Sequence, residues 1–104
     1  MKTLMQVVDE KPTVNVGEEI TVEGWDVNYR VARVTPSMNG VFSLVAYRRN
    51  GSNIERLTYD KERGLKVEQL SAEQSADYWV VSSFLSKFEK KPSQKFREFL
   101  ASRQ

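Results

Sequence analysis

The chain has no cysteine and no histidine among its 104 residues. Without cysteine there is no disulfide, no thiol nucleophile and no thiolate zinc site. Without histidine the commonest general base near neutral pH, which is also the commonest metal ligand, is missing. Long apolar runs are missing too. Tyr78, Trp79, Val80 and Val81 form one of the longest, far short of the ~20 residues that cross a bilayer. Met1 through Glu10 hold no apolar stretch of the kind a secretory signal requires. These absences point to a cytoplasmic protein with no membrane partner, no metal and no cofactor.

What is present suits one globular domain spanning residues 1–104. Hydrophobic residues make up 39% and charged residues 29%, enough for one compact core but not for a core plus a large substrate cleft. Catalysis would have to use carboxylates, lysines, tyrosines or serines. Glu18 with Glu19, and Asp60 with Glu62, are the candidate carboxylate pairs, and each reads as solvated acids beside a turn. No phosphate-binding loop, nucleophile elbow or calcium-loop spacing occurs. The expectation is a protein that binds rather than one that catalyses.

The first half has the two-residue period of strands. Ile20, Val22 and Gly24 alternate with Thr21, Glu23 and Trp25. A second strand runs from Tyr29 to Thr35, and Pro36 to Gly40 is a loop. Val41 to Arg49 is apolar on both faces, with Val41, Val45 and Tyr47 on one and Phe42, Leu44 and Ala46 on the other. Such a strand belongs in the middle of a sheet covered on both sides. Asn50-Gly51-Ser52-Asn53 is a hairpin turn, Ile54 to Tyr59 returns antiparallel, and Asp60 to Gly64 turns into a short strand around Leu65 to Val67. The five glycines all fall at turns.

The period then changes to that of a helix. Ser71 with Gln74 three residues on forms a capping-box pattern. Tyr78, Val81, Leu85 and Phe88, with Val80 and Phe84, fall on one broad face. Ser82, Ser83 and Ser86 lie opposite, with Trp79 among them. Pro92 ends this helix, and Ser93 can cap a second one carrying Phe96, Phe99 and Leu100. The fold class expected is α+β: a small curled antiparallel sheet over residues 1–68, or an SH3-like barrel, followed by a helical hairpin over residues 71–104.

Charge is uneven although the net is only +2. Residues 1–28 and 67–86 are net acidic; residues 29–66 and 87–104 are net basic. The first basic block interleaves arginine with tyrosine on successive strands: Tyr29, Arg30 and Arg33; Tyr47, Arg48 and Arg49; Arg56 and Tyr59. The alternation puts Tyr29, Val31 and Arg33 on one face and Val45, Tyr47 and Arg49 on one face. Planar rings stack on bases and guanidinium groups hold phosphates in forked hydrogen bonds, so Arg30, Arg33, Tyr47, Arg48, Arg49 and Arg56 are the candidate nucleic-acid contacts. Lysines of the C-terminal block would assist.

Val16-Gly17-Glu18-Glu19-Ile20-Thr21-Val22-Glu23-Gly24, followed by Arg30-Val31-Ala32-Arg33-Val34, resembles the opening of SH3-like small barrels of the KOW and Tudor kind over about residues 14–60. Glu18 stands where those barrels more often have aspartate, and the glycine usual in the turn before the second strand is missing. The resemblance implies a barrel that binds nucleic acids, ribosomal or polymerase partners, or peptides. It carries over no aromatic cage.

Two readings therefore stand. In the first, the chain is a non-catalytic module that contacts nucleic acid, or a nucleic-acid-associated machine, through its arginine-tyrosine strands. In the second, it is a protein-interaction or inhibitory module, or a homodimer, that uses Trp25, Trp79 and the helical hairpin.

Overall fold

The computed structural model describes residues 1–9, 14–38 and 40–89. The second helix expected after Pro92 lies outside the described residues. The elements are β1 (Lys2–Thr3), α1 (Leu4–Asp9), β2 (Glu19–Thr21), β3 (Asn28–Ser37), β4 (Gly40–Asn50), β5 (Asn53–Asp60), β6 (Gly64–Leu70) and α2 (Tyr78–Ser86). The strands form one six-stranded sheet in chain order. β2 to β6 are an antiparallel meander, while β1 runs parallel to β2. No pairing joins β1 to β6 among the described residues. The fold is thus α+β with a sheet-rich core. The first 68 residues are not all antiparallel strand, because α1 and the parallel β1–β2 pair fall within them.

α1 is the element that period alone does not reveal. Its start is a reciprocal capping box. The Gln6 backbone N–H donates to Thr3 Oγ1 at 3.3 Å, and the Thr3 N–H donates to Gln6 Oε1 at 3.0 Å. The Met5 N–H donates to the Glu23 carboxylate at 3.0 Å. With the helix held this way, Leu4 and Val7 are buried against the sheet.

Two irregularities decide which side chains face α1. Val31 pairs with Ala46 but Arg33 with Val45, so Ala32 is an extra residue on β3. Thr35 pairs with Ser43 but Pro36 with Val41, so Phe42 is an extra residue on β4. Each extra residue resets the alternation. Val41 therefore joins Leu44 and Ala46 on the α1 side, and Phe42 turns out toward solvent. Tyr29 and Val31 also face α1, whereas Arg33 lies on the other face. Val41 and Phe42 thus depart from the faces expected of them, and Arg33 leaves the face of Tyr29 and Val31, while Val45, Tyr47 and Arg49 share the α2 side and Leu44 and Ala46 the α1 side as expected.

The opposite face of the sheet carries α2. Tyr78, Val81 and Leu85 pack on Ile54 and Leu70, with Tyr47 and Phe84 at the margin. The sheet is consequently apolar on both sides near β4 and β5, as the composition of Val41 to Arg49 requires. α2 begins at Tyr78 and not at Ser71. Ser71 Oγ does accept the Gln74 N–H at 3.2 Å, but what it closes is a turn. Ser75 Oγ then takes the Asp77 N–H at 3.3 Å, and a serine hydroxyl bonding the local backbone competes with helix formation.

Gly40 is where α1 and the sheet come closest. Its φ is +139°, and a Cβ placed there would sit 2.0 Å from the Val8 carbonyl oxygen. Backbone cannot yield as a side-chain tip can. Gly40→Ala should cost about 3 kcal/mol or more, from strain of about 1–3 kcal/mol plus displacement of α1. Gly51, at φ +63° with open space around it, provides the control: Gly51→Ala should cost only about 1–2 kcal/mol. Urea denaturation compares the two, and equal losses would show that the α1 contact is dispensable.

Candidate functional site

The face of the sheet that carries α2 is only partly covered. Beside the helix an open groove of about 820 Å3 crosses β3 to β6. Register builds its floor in rows. Arg33, Val45, Thr58 and Lys66 form one row, and Arg30, Tyr47, Arg56 and Glu68 form the next. Val80, Val81 and Phe84 of α2 make one wall, and Arg63 in the β5–β6 turn stands at the far end.

The candidate arginines have diverse fates. Arg48 points to the α1 side, where its Nε donates to Glu55 at 2.6 Å and its guanidinium lies 5.9 Å from the centre of the Tyr29 ring. Its side chain is about a quarter exposed and paired with Glu55. Arg49 clamps α2, donating to Ser82 Oγ at 3.0 Å, to the Ser82 carbonyl at 2.9 Å, to Ser86 Oγ at 3.0 Å and to Glu89. Arg30 donates to the Gly17 carbonyl and to Glu19, both at 2.9 Å, and covers the Phe88 ring at 4.6 Å. Arg56 is paired with Glu68 and lies 3.8 Å from Asp77. Arg33 and Arg63 meet no carboxylate among the described residues, and both line the groove.

Tyr47 lies in the groove floor, with its ring packed at the edge of the α2 cluster. Of the six residues expected to touch nucleic acid, the groove holds Arg33, Tyr47 and Arg56. Arg30, Arg48 and Arg49 line a smaller neighbouring depression of about 240 Å3, where Arg30 is paired with Glu19, Arg48 with Glu55 and Arg49 with Glu89. The sequence reading missed Arg63 and Lys66. A signal for them existed, since Arg63 precedes the turn glycine Gly64 and Lys66 is two residues beyond it on a strand, but nothing local says which face a turn residue serves.

The acids of the groove are already engaged. Lys66 at 2.6 Å and Arg56 hold the Glu68 carboxyl at a pKa of about 2. The Asp60 carboxylate accepts the N–H groups of Glu62 at 2.8 Å and Arg63 at 3.2 Å, capping its turn. Asp77, the third acid of the groove, lies 3.8 Å from Arg56; in the neighbouring depression Glu19 is paired with Arg30. No group of three or more potential metal ligands occurs among the described residues, and no helix among them is long and apolar enough to cross a membrane.

The two tryptophans lie on opposite sides of the sheet. Trp25 packs against Tyr29, ring centres 6.3 Å apart, on the α1 side. Trp79 stands on α2, edge-on to Tyr78 at 5.0 Å and 67% exposed. Val80, expected on the buried face, is 73% exposed beside it. Trp25 and Trp79 do not form one surface.

Comparison of the chain with protein-family models, with characterised proteins and with solved structures finds no match.

Proposed function

We propose that the chain is a non-catalytic binding module that holds a single nucleic-acid strand in the groove between α2 and strands β3 to β6. One observation carries this reading. Arg30, Arg48, Arg49 and Arg56 are each neutralised by a carboxylate, while Arg33 and Arg63 meet none among the described residues, and those two share the groove. Two unpaired guanidinium groups in one half-apolar groove favour an anionic ligand with planar parts. Tyr47 and Phe84 offer rings for stacking. The groove's acids are bound to cations or to backbone N–H groups, which supports recognition over turnover.

The salt dependence of binding tests this. With Arg33 and Arg63 on phosphates, a labelled single-stranded oligonucleotide should bind with a log–log slope of about −1.4 against salt, roughly 0.7 per phosphate neutralised. A slope near zero would sink the reading.

A second reading rests on Trp79 and Val80, an exposed apolar pair beside the same groove. There the partner is a protein, Trp79 is its anchor, and affinity responds little to salt. Trp79→Ala would then abolish capture of that partner while leaving oligonucleotide binding untouched.

A further inference from the structure

Among the described residues β6 is the longer of the two edge strands, because β1 at the other edge has only two residues. An edge strand presents a row of unpaired backbone N–H and C=O groups, ready to pair with another strand. β6 also alternates in a revealing way. Leu65 and Val67 face the α1 side and remain 40% and 38% exposed, while Lys66 and Glu68 face the groove side.

From this pattern we infer that the chain forms a two-fold dimer by antiparallel pairing of β6 with β6 of a second copy, centred on Val67. Charge complementarity selects both the occupant and the register. With Val67 opposite Val67, Lys66 of each copy lies opposite Glu68 of the other, and unlike charges directly across strands attract. Leu65 becomes the diagonal neighbour of the second copy's Val67, which closes the exposed apolar strip. A slip of two residues either way sets Lys66 against Lys66 or Glu68 against Glu68, and like charges there repel. A lysine on an edge normally discourages pairing; here Lys66 is already paired with Glu68 of its own chain at 2.6 Å, and the favoured register sets it beside the second copy's Glu68 as well.

The two-fold axis runs perpendicular to the sheet, so the α2 faces of both copies lie on the same side. The row from Arg33 to Lys66 in one copy then continues into the row of Tyr47 and Arg56 in the other. The dimer stands whether or not the groove binds nucleic acid, because its test contains no ligand.

The absence of cysteine makes the register directly measurable. Val67→Cys in the full chain should form a disulfide-linked dimer rapidly under mild oxidation, because opposed Cβ atoms lie about 4.5–5.5 Å apart, close to what a disulfide requires. Lys61→Cys, in the exposed β5–β6 turn, should cross-link at least tenfold more slowly. Equal rates would overturn the inference. A second arm uses charge. By sedimentation velocity, K66E alone and E68K alone should each be monomeric, and their equimolar mixture should dimerise, since every cross-strand pair is again unlike. E68K also loses its pair with Arg56, so its melting curve is checked first, and K66E alone carries the arm if E68K melts early. A wild-type chain that stays monomeric at high micromolar concentration, or a K66E variant that dimerises like wild type, contradicts the inference.

Discussion

Leu44→Ala should lower the stability of the fold by about 3–5 kcal/mol, the upper part of the range for emptying a buried leucine site. Leu44 is 0% exposed. It sits at the middle of β4, between Val34 on β3 and Tyr59 on β5, in the cluster that α1 covers. Strands on both sides fix the backbone there, so the cavity has little room to collapse. Phe84→Ala should cost less, about 1–3 kcal/mol. Its ring is only half-buried, packed edge-on against Phe88 at 5.2 Å, and lost burial scales with the area covered. Chemical denaturation of both variants checks the order. A smaller loss for Leu44→Ala than for Phe84→Ala would mean that the main core lies on the α2 side.

Glu55→Gln should be nearly as damaging, at about 2–4 kcal/mol. One carboxylate here receives four donors. Tyr29 Oη donates to it at 3.0 Å, Arg48 Nε at 2.6 Å, Asn50 Nδ2 at 3.2 Å and Gln69 Nε2 at 2.9 Å. An amide in its place turns a donor toward donors and leaves Arg48 without its counter-charge. Breaking a buried pair by removing one partner costs about 3–5 kcal/mol, and the partial exposure of Arg48, 24% of its side chain, moderates that. The Arg48 hydrogen bond, more than any other influence, holds the Glu55 carboxyl below its ordinary pKa.

The pH dependence follows in sign. A pKa lowered by folding means stability that is fully present above the unfolded value of about 4.3 and lost as pH falls through the folded one. Wild type should therefore weaken steeply below about pH 4, whereas Glu55→Gln should change less over the same interval. At the alkaline end, burial and then Glu55 raise the Tyr29 phenol. Its contribution is present below about pH 10 and lost as pH rises through the folded value. Melting temperatures between pH 3 and pH 7 decide the acid limb; parallel curves for the two proteins would remove Glu55 from it.

Much of this architecture is legible from local chemistry. Asn50-Gly51-Ser52-Asn53 does close a hairpin, with Asn50 paired to Asn53. Asp60 to Gly64 does turn β5 into β6. The face of Tyr78, Val81 and Leu85 does bury. Even α1 has a readable start in Thr3 and Gln6, although six residues are too few for a helical period to stand out. The extra residues Ala32 and Phe42 are another matter. Nothing in an apolar strand marks which residue will bulge, and each one flips every side chain beyond it. That is why Arg33 reaches the groove while Tyr29 and Val31, its expected companions, do not.

The arginines were legible as a cluster, but not which of them pair with carboxylates. Whether a guanidinium is free depends on distant partners: Glu55 for Arg48, Glu68 and Asp77 for Arg56, and Glu89, forty residues away, for Arg49. Reversing Arg48 and Arg49 together would consequently unfold the protein before it tested any binding.

The groove's two unpaired arginines give a cleaner test. Arg33→Glu combined with Arg63→Glu replaces attraction with repulsion where neither side chain supports the fold. Two lost charged contacts at about 1.5–3 kcal/mol each correspond to at least about a hundredfold loss of affinity. Fluorescence anisotropy with a labelled single-stranded oligonucleotide at moderate salt, on protein whose melting temperature matches wild type, measures it directly. The account predicts that wild type binds and that the double variant loses at least a hundredfold. A double variant that binds as tightly as wild type would contradict it.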